Sequence, residues 1–333
     1  MKFTNVSQIL NNPDKLNFSK KYILTSRNEI VIYDQMLAQN ILKSKEFIQF
    51  NLIENLYLIS QNKVSISSIS DYFKNSPLLL DGLPHLKSRM EYAKYYSRVE
   101  NQIKNSLQNL SDTFFMSITD KQNSLFFIDA YVKLIFRQII AFELDCNPQE
   151  IPTIPQSNAV FKFIPSPYEL RKFNRELENL YQFILSKISK KDTWSLISIV
   201  VMGESIRTVL LYSMFHFKKI YIDDISLLFD EVSAISIIPR KALNSVKFDD
   251  LEIEANQSVF ISPFLIKYCN EKKGNIAQKI SLAFGLGTHS CPGKSLAKMI
   301  CLSFLNSYVK YNQVFSINLN DACFYRDFSL RIK

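Results

Sequence analysis

The chain has 333 residues, 47% of them hydrophobic, and a net charge of +9. Phe (26) and Tyr (16) are abundant while Gly (6) is scarce, so a sizeable helical core is favoured over a sandwich or barrel. The five cysteines lie far apart, are odd in number and show no zinc-like spacing, which excludes a zinc module and fits a reducing cytoplasm.

The start, "MKFTNVSQILNNPDKLNF", has no apolar h-region, so no signal peptide is expected. Up to about Lys74 the pattern predicts short helices, with strands in "YLIS" and "KVSISSI". "LLLDGLPHLKSRMEYAKYYSRVENQIKNSL" predicts a turn entering a helix, with Gly82 and Pro84 as breakers. Helical periodicity returns from about Lys121 to Leu144. Asp145 to Pro167 holds five of the eleven prolines and predicts an irregular connector or lid. "SPYE" closes it with a capping box of Ser166 and Glu169, Pro167 taking the first helical position. Leu170, Phe173, Leu177, Leu180 and Ile184 follow at helical spacing.

Asp192 or Thr193 is expected to cap the next helix, "TWSLISIVVMGESIRTVLLYSMFHF". It is long enough to suggest a membrane span. Glu204 and Arg207 at its middle argue instead for the central helix of a globular domain, because charge is costly in lipid. A short helix ("DDISLLFDEVSAIS"), strands in "VKFDDLEIEANQSVFISPFLI" and a helix from Pro292 to about Tyr308 complete the chain. No repeat or low-complexity linker interrupts it, so one mainly α domain with a small β part is expected over residues 1–333.

"SLAFGLGTHSCPGKSLAKMI" concentrates three of the six glycines and one of the three histidines around Cys291. Leu296, Ala297, Ile300 and Phe304 repeat at helical spacing after Pro292, which sets Cys291 at a helix N-terminus. Unpaired N–H groups and the helix dipole there favour a thiolate. Gly285 and Gly287 permit a tight turn of positive φ, and Gly293 and Ala297 strip bulk from one helix face. A thiolate on a rigid loop beside a bare helix face suits an axial metal ligand; a buried, inert cysteine is the structural alternative.

The spacing Phe284-x-x-Gly287-x-His289-x-Cys291-x-Gly293-x-x-x-Ala297 resembles the haem-binding signature of the cytochrome P-450 family. That resemblance implies haem b (iron protoporphyrin IX) with Cys291 as proximal ligand, His289 on a propionate and Phe284 beside the sulfur. "DGLPHLKSR" is similar to a second stretch of bacterial members, which implies that His85 and Arg89 reach propionates. Arg240 in "PRKAL" matches a later propionate-binding arginine. In the central helix, Gly203, Glu204 and Ser205 match the family's kink and acid–alcohol proton relay, Glu204 and Ser205 being the catalytic pair. A register shifted by three would set Arg207 and Thr208 over the iron instead, and Glu204 and Arg207 could simply pair with each other.

The chain departs from the family where a Glu-x-x-Arg motif is expected. "LLFDE" stands there, with Ala234 three residues after Glu231. The meander is cut to "YCNEKKGNIAQKI", and a helix between Ser205 and that point is expected to be missing. Losing both members of an ion pair can be nearly neutral, so a trimmed but folded haem protein is expected.

The resemblance implies a cytoplasmic monooxygenase of specialised metabolism acting on a small molecule. Electrons would come from a separate ferredoxin or flavodoxin, with Lys87, Lys294 and Lys298 as docking cations; neither a nucleic acid nor a membrane is an expected partner. The alternatives are a partner-independent peroxygenase, isomerase or dehydratase, motivated by Arg207 and the trimmed scaffold, and a non-catalytic accessory protein.

Overall fold

The computed structural model describes residues 3–60, 64–117, 124–155, 166–201, 203–216, 220–232, 235, 237–248, 250–274, 281–311, 322–324 and 330–332. They form two compact units, Met1–Asn51 with Phe229–Cys291 and Cys323–Arg331, and Leu52–Leu228 with Pro292–Ala322 and Ile332–Lys333.

The first unit is built on a five-stranded sheet. Its strands are β1 (Tyr22–Leu24), β2 (Ile30–Ile32), β3 (Phe47–Gln49), β4 (Ile238–Ala242) and β7 (Ser258–Ile261), in the order β1-β2-β7-β4-β3. β2 and β7 run parallel and the other pairs antiparallel. β5 (Val246–Phe248) and β6 (Leu251–Ile253) form a separate hairpin. Side chains alternate across the sheet with period two. Ile30, Ile32, Val259 and Ile261 face a cluster with helix α2 (Gln35–Lys43). Val31 and Phe260 face the opposite cluster, which takes in α1 (Val6–Asn11) and α12 (Pro263–Lys272). "PFLI", expected as strand, opens this last helix. Pro263 suits the first turn and the Ser262 hydroxyl accepts from Leu265 N at 3.2 Å, so the cap outweighs β propensity.

The second unit is helical. In chain order it holds α3 (Leu52–Ser60), α4 (Ser67–Asn75), α5 (Gly82–Met116), α6 (Ser124–Leu144), α7 (Pro167–Leu185), α8 (Lys190–Val201), α9 (Gly203–Phe215) and α10 (Ile220–Asp223). α11 (Ile225–Val232) follows, its residues from Phe229 counted with the first unit, and α13 (Lys294–Tyr311) returns to pack on α5 and α9. "YLIS" is helical, not a strand, with Leu56 and Ser60 buried one turn apart. "KVSISSI" forms no strand among the described residues, and its end enters α4. The capping box at Ser166 forms as expected, Glu169 N donating to Ser166 Oγ at 3.2 Å. The cap of α8 is not Asp192 or Thr193. The helix starts at Lys190, and Ser189 Oγ accepts from Asp192 N at 3.2 Å.

α5, α6 and α13 meet in a buried knot of hydroxyls. Ser111 Oγ lies 2.6 Å from Ser303 Oγ and 2.8 Å from Tyr131 Oη, and Ser303 Oγ donates to Leu107 O at 3.0 Å. Below it, Lys310, Ser307 and Gln108 converge on Asp112. Against the desolvation that raises it, their hydrogen bonds hold that carboxyl below its ordinary range. The stretch Lys190–Met214 is long and apolar enough to cross a membrane, but 82% of its most apolar window is buried inside the protein, as in a core helix. Between α9 and α11 only the four-residue α10 stands among the described residues, in line with the expected loss of a helix.

Candidate functional site

In the first unit the cysteine loop is tied down by its backbone. Cys291 N donates to Phe284 O at 2.8 Å, closing a turn around Gly285 and Gly287. Both glycines have φ of +67°, a left-handed conformation that side chains rarely adopt. At Gly287 a Cβ would also stand 3.2 Å from Leu42 O at the end of α2. The Phe284 ring packs on Phe229 with centroids 4.8 Å apart. His289 ends a 3₁₀ turn, Gly287–His289, and is partly exposed. Arg240 is buried in β4, where it donates to Gln49 Oε1 at 2.9 Å and Pro239 O at 2.8 Å.

Cys291 itself is only partly buried. Cys269 and Cys301 are fully buried, and burial pushes the Cys269 thiol up to about 11 and Cys301 higher still. The inert, buried cysteine thus describes those two residues and not Cys291.

In the second unit His85 is buried on the first turns of α5, and Arg89, partly buried, follows one turn later. Gly293 is buried and its carbonyl accepts from Ala297 N at 3.0 Å, so it stands just ahead of the first turn of α13. Ala297 is buried on the same helix. Lys87 and Lys294 are exposed, whereas Lys298 is partly buried and its Nζ bonds Ser226 Oγ.

Glu204 and Arg207 pair as the spacing allows, Nη1 to Oε1 at 3.3 Å. A third member, not named in the sequence reading, is Asp129 of α6, whose Oδ1 lies 2.7 Å from Arg207 Nε. That Nε–H is not aligned with an acceptor, so the contact is charge pairing rather than a directed hydrogen bond. A lone acid inside the apolar run "FFIDAYVKLIF" was the available signal. The three groups line a shallow, open cleft with Lys133, Phe136 and Ile154 on its walls. Ser205 is partly exposed on the same turn, and Thr208 Oγ1 donates back to Glu204 O at 3.0 Å. Asp129→Ala is expected to cost about 1–2 kcal/mol in thermal unfolding, below the ~3–5 kcal/mol of a fully buried pair, because Glu204 stays beside Arg207.

The donor chemistry fits haem: one partly buried thiol on a fixed loop, and imidazole and guanidinium groups suited to carboxylates. Among the described residues no three His, Cys, Asp or Glu side chains group to hold a bare metal ion.

No family model and no curated protein matches the chain. Solved structures do. CalO2 superposes with a TM-score of 0.73 at 9% identity, over 100% of this chain and 97% of that one. P450BioI in complex with hexadec-9Z-enoic acid ligated acyl carrier protein gives 0.69 at 14% identity, over 92% of each chain. The bacillaene polyketide synthase cytochrome P450 PksS of Bacillus subtilis 168 gives 0.67 at 15%, over 98% and 94%. The chain has the cytochrome P450 fold. The P450 fold is trimmed here, as expected. α11 covers "LLFDE" without a Glu-x-x-Arg, and "YCNEKKGNIAQKI" begins as the end of α12, with residues 275–280 outside the described ones.

Proposed function

We propose that the chain is a haem-thiolate monooxygenase that oxidises a small organic molecule in specialised metabolism. The observation that carries this reading is Cys291, partly exposed and fixed by its backbone bond to Phe284 on a loop of two left-handed glycines, in a chain of P450 fold. The solved neighbours lend support, since their names include a polyketide synthase P450 and an epothilone B-bound P450.

Bound haem b would supply oxygen activation at an iron ligated by the Cys291 sulfur. The chain's residues do the rest. His85, Arg89, His289 and Arg240 hold propionates by charge-assisted hydrogen bonds. Phe284 shields the sulfur, and Gly293 and Ala297 keep side-chain bulk away from the ring. Glu204, charged beside Arg207, accepts and orients a proton carrier, and Ser205 passes a proton through its hydroxyl. An acidic ferredoxin or flavodoxin docks at Lys87 and Lys294; Lys298, bonded to Ser226, contributes less. Of the two motives for the partner-independent reading, Arg207 is weakened, because a substrate carboxylate there would meet Asp129 and Glu204 already in place.

Haemin titration followed by the spectrum of the reduced protein with carbon monoxide tests the reading. The expected result is a stoichiometric complex with the red-shifted band of a thiolate-ligated iron. A histidine-type band, or no binding, overturns it.

A further inference from the structure

Glu204 and Arg207 are the two charged side chains of α9, and α6 sets Asp129 against them. One guanidinium therefore serves two carboxylates, and the distances show how it is shared. Arg207 Nε stands 2.7 Å from Asp129 Oδ1, whereas Arg207 Nη1 stands 3.3 Å and 3.4 Å from the two Glu204 oxygens. A close charge-assisted bond spans about 2.7–2.9 Å, so the contact with Asp129 is close while that with Glu204 is long and evenly split.

Asp129 has a second cation within reach. Lys133 is the partner that i,i+4 spacing offers, but its Nζ lies 3.8 Å away and its side chain is 44% exposed. The Lys133 charge also acts on Glu176 of α7. Asp129 thus leans across to α9 rather than along its own helix. Helices α8 and α13 pack on α9 as well, and their charges are engaged elsewhere. Asp192 and Lys191 of α8 bond Ser189 and Glu91, Lys298 and Lys310 of α13 bond Ser226 and Asp112, and Lys190 and Lys294 are exposed. Asp129, Lys133, Glu204 and Arg207 all line the one cleft. The Arg207 and Glu204 side chains are only 17% and 15% exposed there, so solvent screens their mutual charge weakly.

We propose that Asp129 is a positioning residue for Glu204: it draws the Arg207 guanidinium toward α6 and so keeps Glu204 out of a close ion pair. A carboxylate locked against arginine is a weak proton acceptor, because the adjacent cation favours its charged form. Held at longer range, it exchanges protons with a carrier in the cleft more readily. Asp129 therefore sets the proton affinity of a group on another helix. The use of that affinity in turnover rests on the haem reading.

Asp129→Asn keeps the shape of the side chain and removes its charge. The guanidinium is then released to Glu204, and a neighbouring negative charge is lost; both changes favour the ionised form of Glu204. Haem-free protein carrying carbon-13 glutamate tests this, the Glu204 carboxyl signal being assigned by its loss in Glu204→Gln. That signal is expected to titrate about one pH unit lower in Asp129→Asn than in the wild type. An unchanged or raised midpoint overturns the proposal. In an Arg207→Gln background the same substitution should move the midpoint much less. An undiminished shift there means that Asp129 acts by its own field and not through Arg207, which overturns it too.

In the haem-loaded protein, Asp129→Asn should leave the carbon monoxide band unchanged while the acid limb of the kcat profile follows the carboxyl to lower pH. A limb that stays in place while the carboxyl shifts removes the role in turnover and overturns the proposal. Should haemin not bind, the haem reading falls, while the carboxyl titration still decides whether Asp129 governs Glu204.

Discussion

Cys291→Ala is expected to abolish the thiolate band of the reduced carbon monoxide complex while leaving the fold intact. The two effects separate because side chain and backbone do different work at this position. The loop is shaped by the left-handed Gly285 and Gly287 and by the bond from the residue 291 N–H to Phe284 O, all of which alanine keeps. The side chain is only partly buried, so its removal should change stability by less than about 0.5–1 kcal/mol. Thermal melting of the haem-free proteins checks the first half, and the spectrum the second. A thiolate band surviving in Cys291→Ala would move the ligand to another cysteine, and the buried Cys269 and Cys301 are poorly suited to that role.

The second large effect is expected at Gly203, the first described residue of α9. A Cβ there would stand 2.6 Å from Phe136 Cε2, a separation no side chain tolerates, and the Phe136 ring is 1% exposed and enclosed. Gly203→Ala should therefore push the ring or the helix aside at a cost of about 1–3 kcal/mol. Alanine's better helix propensity offsets less than about 1 kcal/mol of this. The thermal midpoint should fall, and Phe136→Leu in the same chain should recover part of the loss, giving a favourable coupling in a double-mutant cycle. Lack of coupling would mean that the ring moves away freely. Because Glu204 is the next residue and Phe136 lines the same cleft, Gly203→Ala should also disturb the Asp129–Arg207–Glu204 group.

What the sequence revealed depended on how local its causes were. The cysteine loop was readable because its backbone demands two particular glycines and its motif falls within fourteen residues, Phe284 to Ala297. The capping box at Ser166 and Glu169 was readable for the same reason. Strands β1, β2 and β3 were not, because three residues carry too little periodicity to separate strand from loop. "YLIS" and "PFLI" are β-prone by composition but helical by context, the first through burial on one helix face and the second through the Ser262 cap. Asp129 shows in the sequence only as an acid with Lys133 four residues on, a spacing common on solvated helices, while its contact with Arg207 comes from another helix.

The hydroxyls of Ser111, Ser303 and Tyr131 satisfy one another where three helices cross, far from any water that could replace a missing member. Each also has a backbone acceptor, Leu107 O for Ser111 and Ser303 and Ile300 O for Tyr131, so a single change weakens the knot without leaving the other hydroxyls unpaired. The crossing of the three helices is thus pinned from both sides, by hydroxyl to hydroxyl and by hydroxyl to backbone, which fixes their register more firmly than hydrocarbon contact alone.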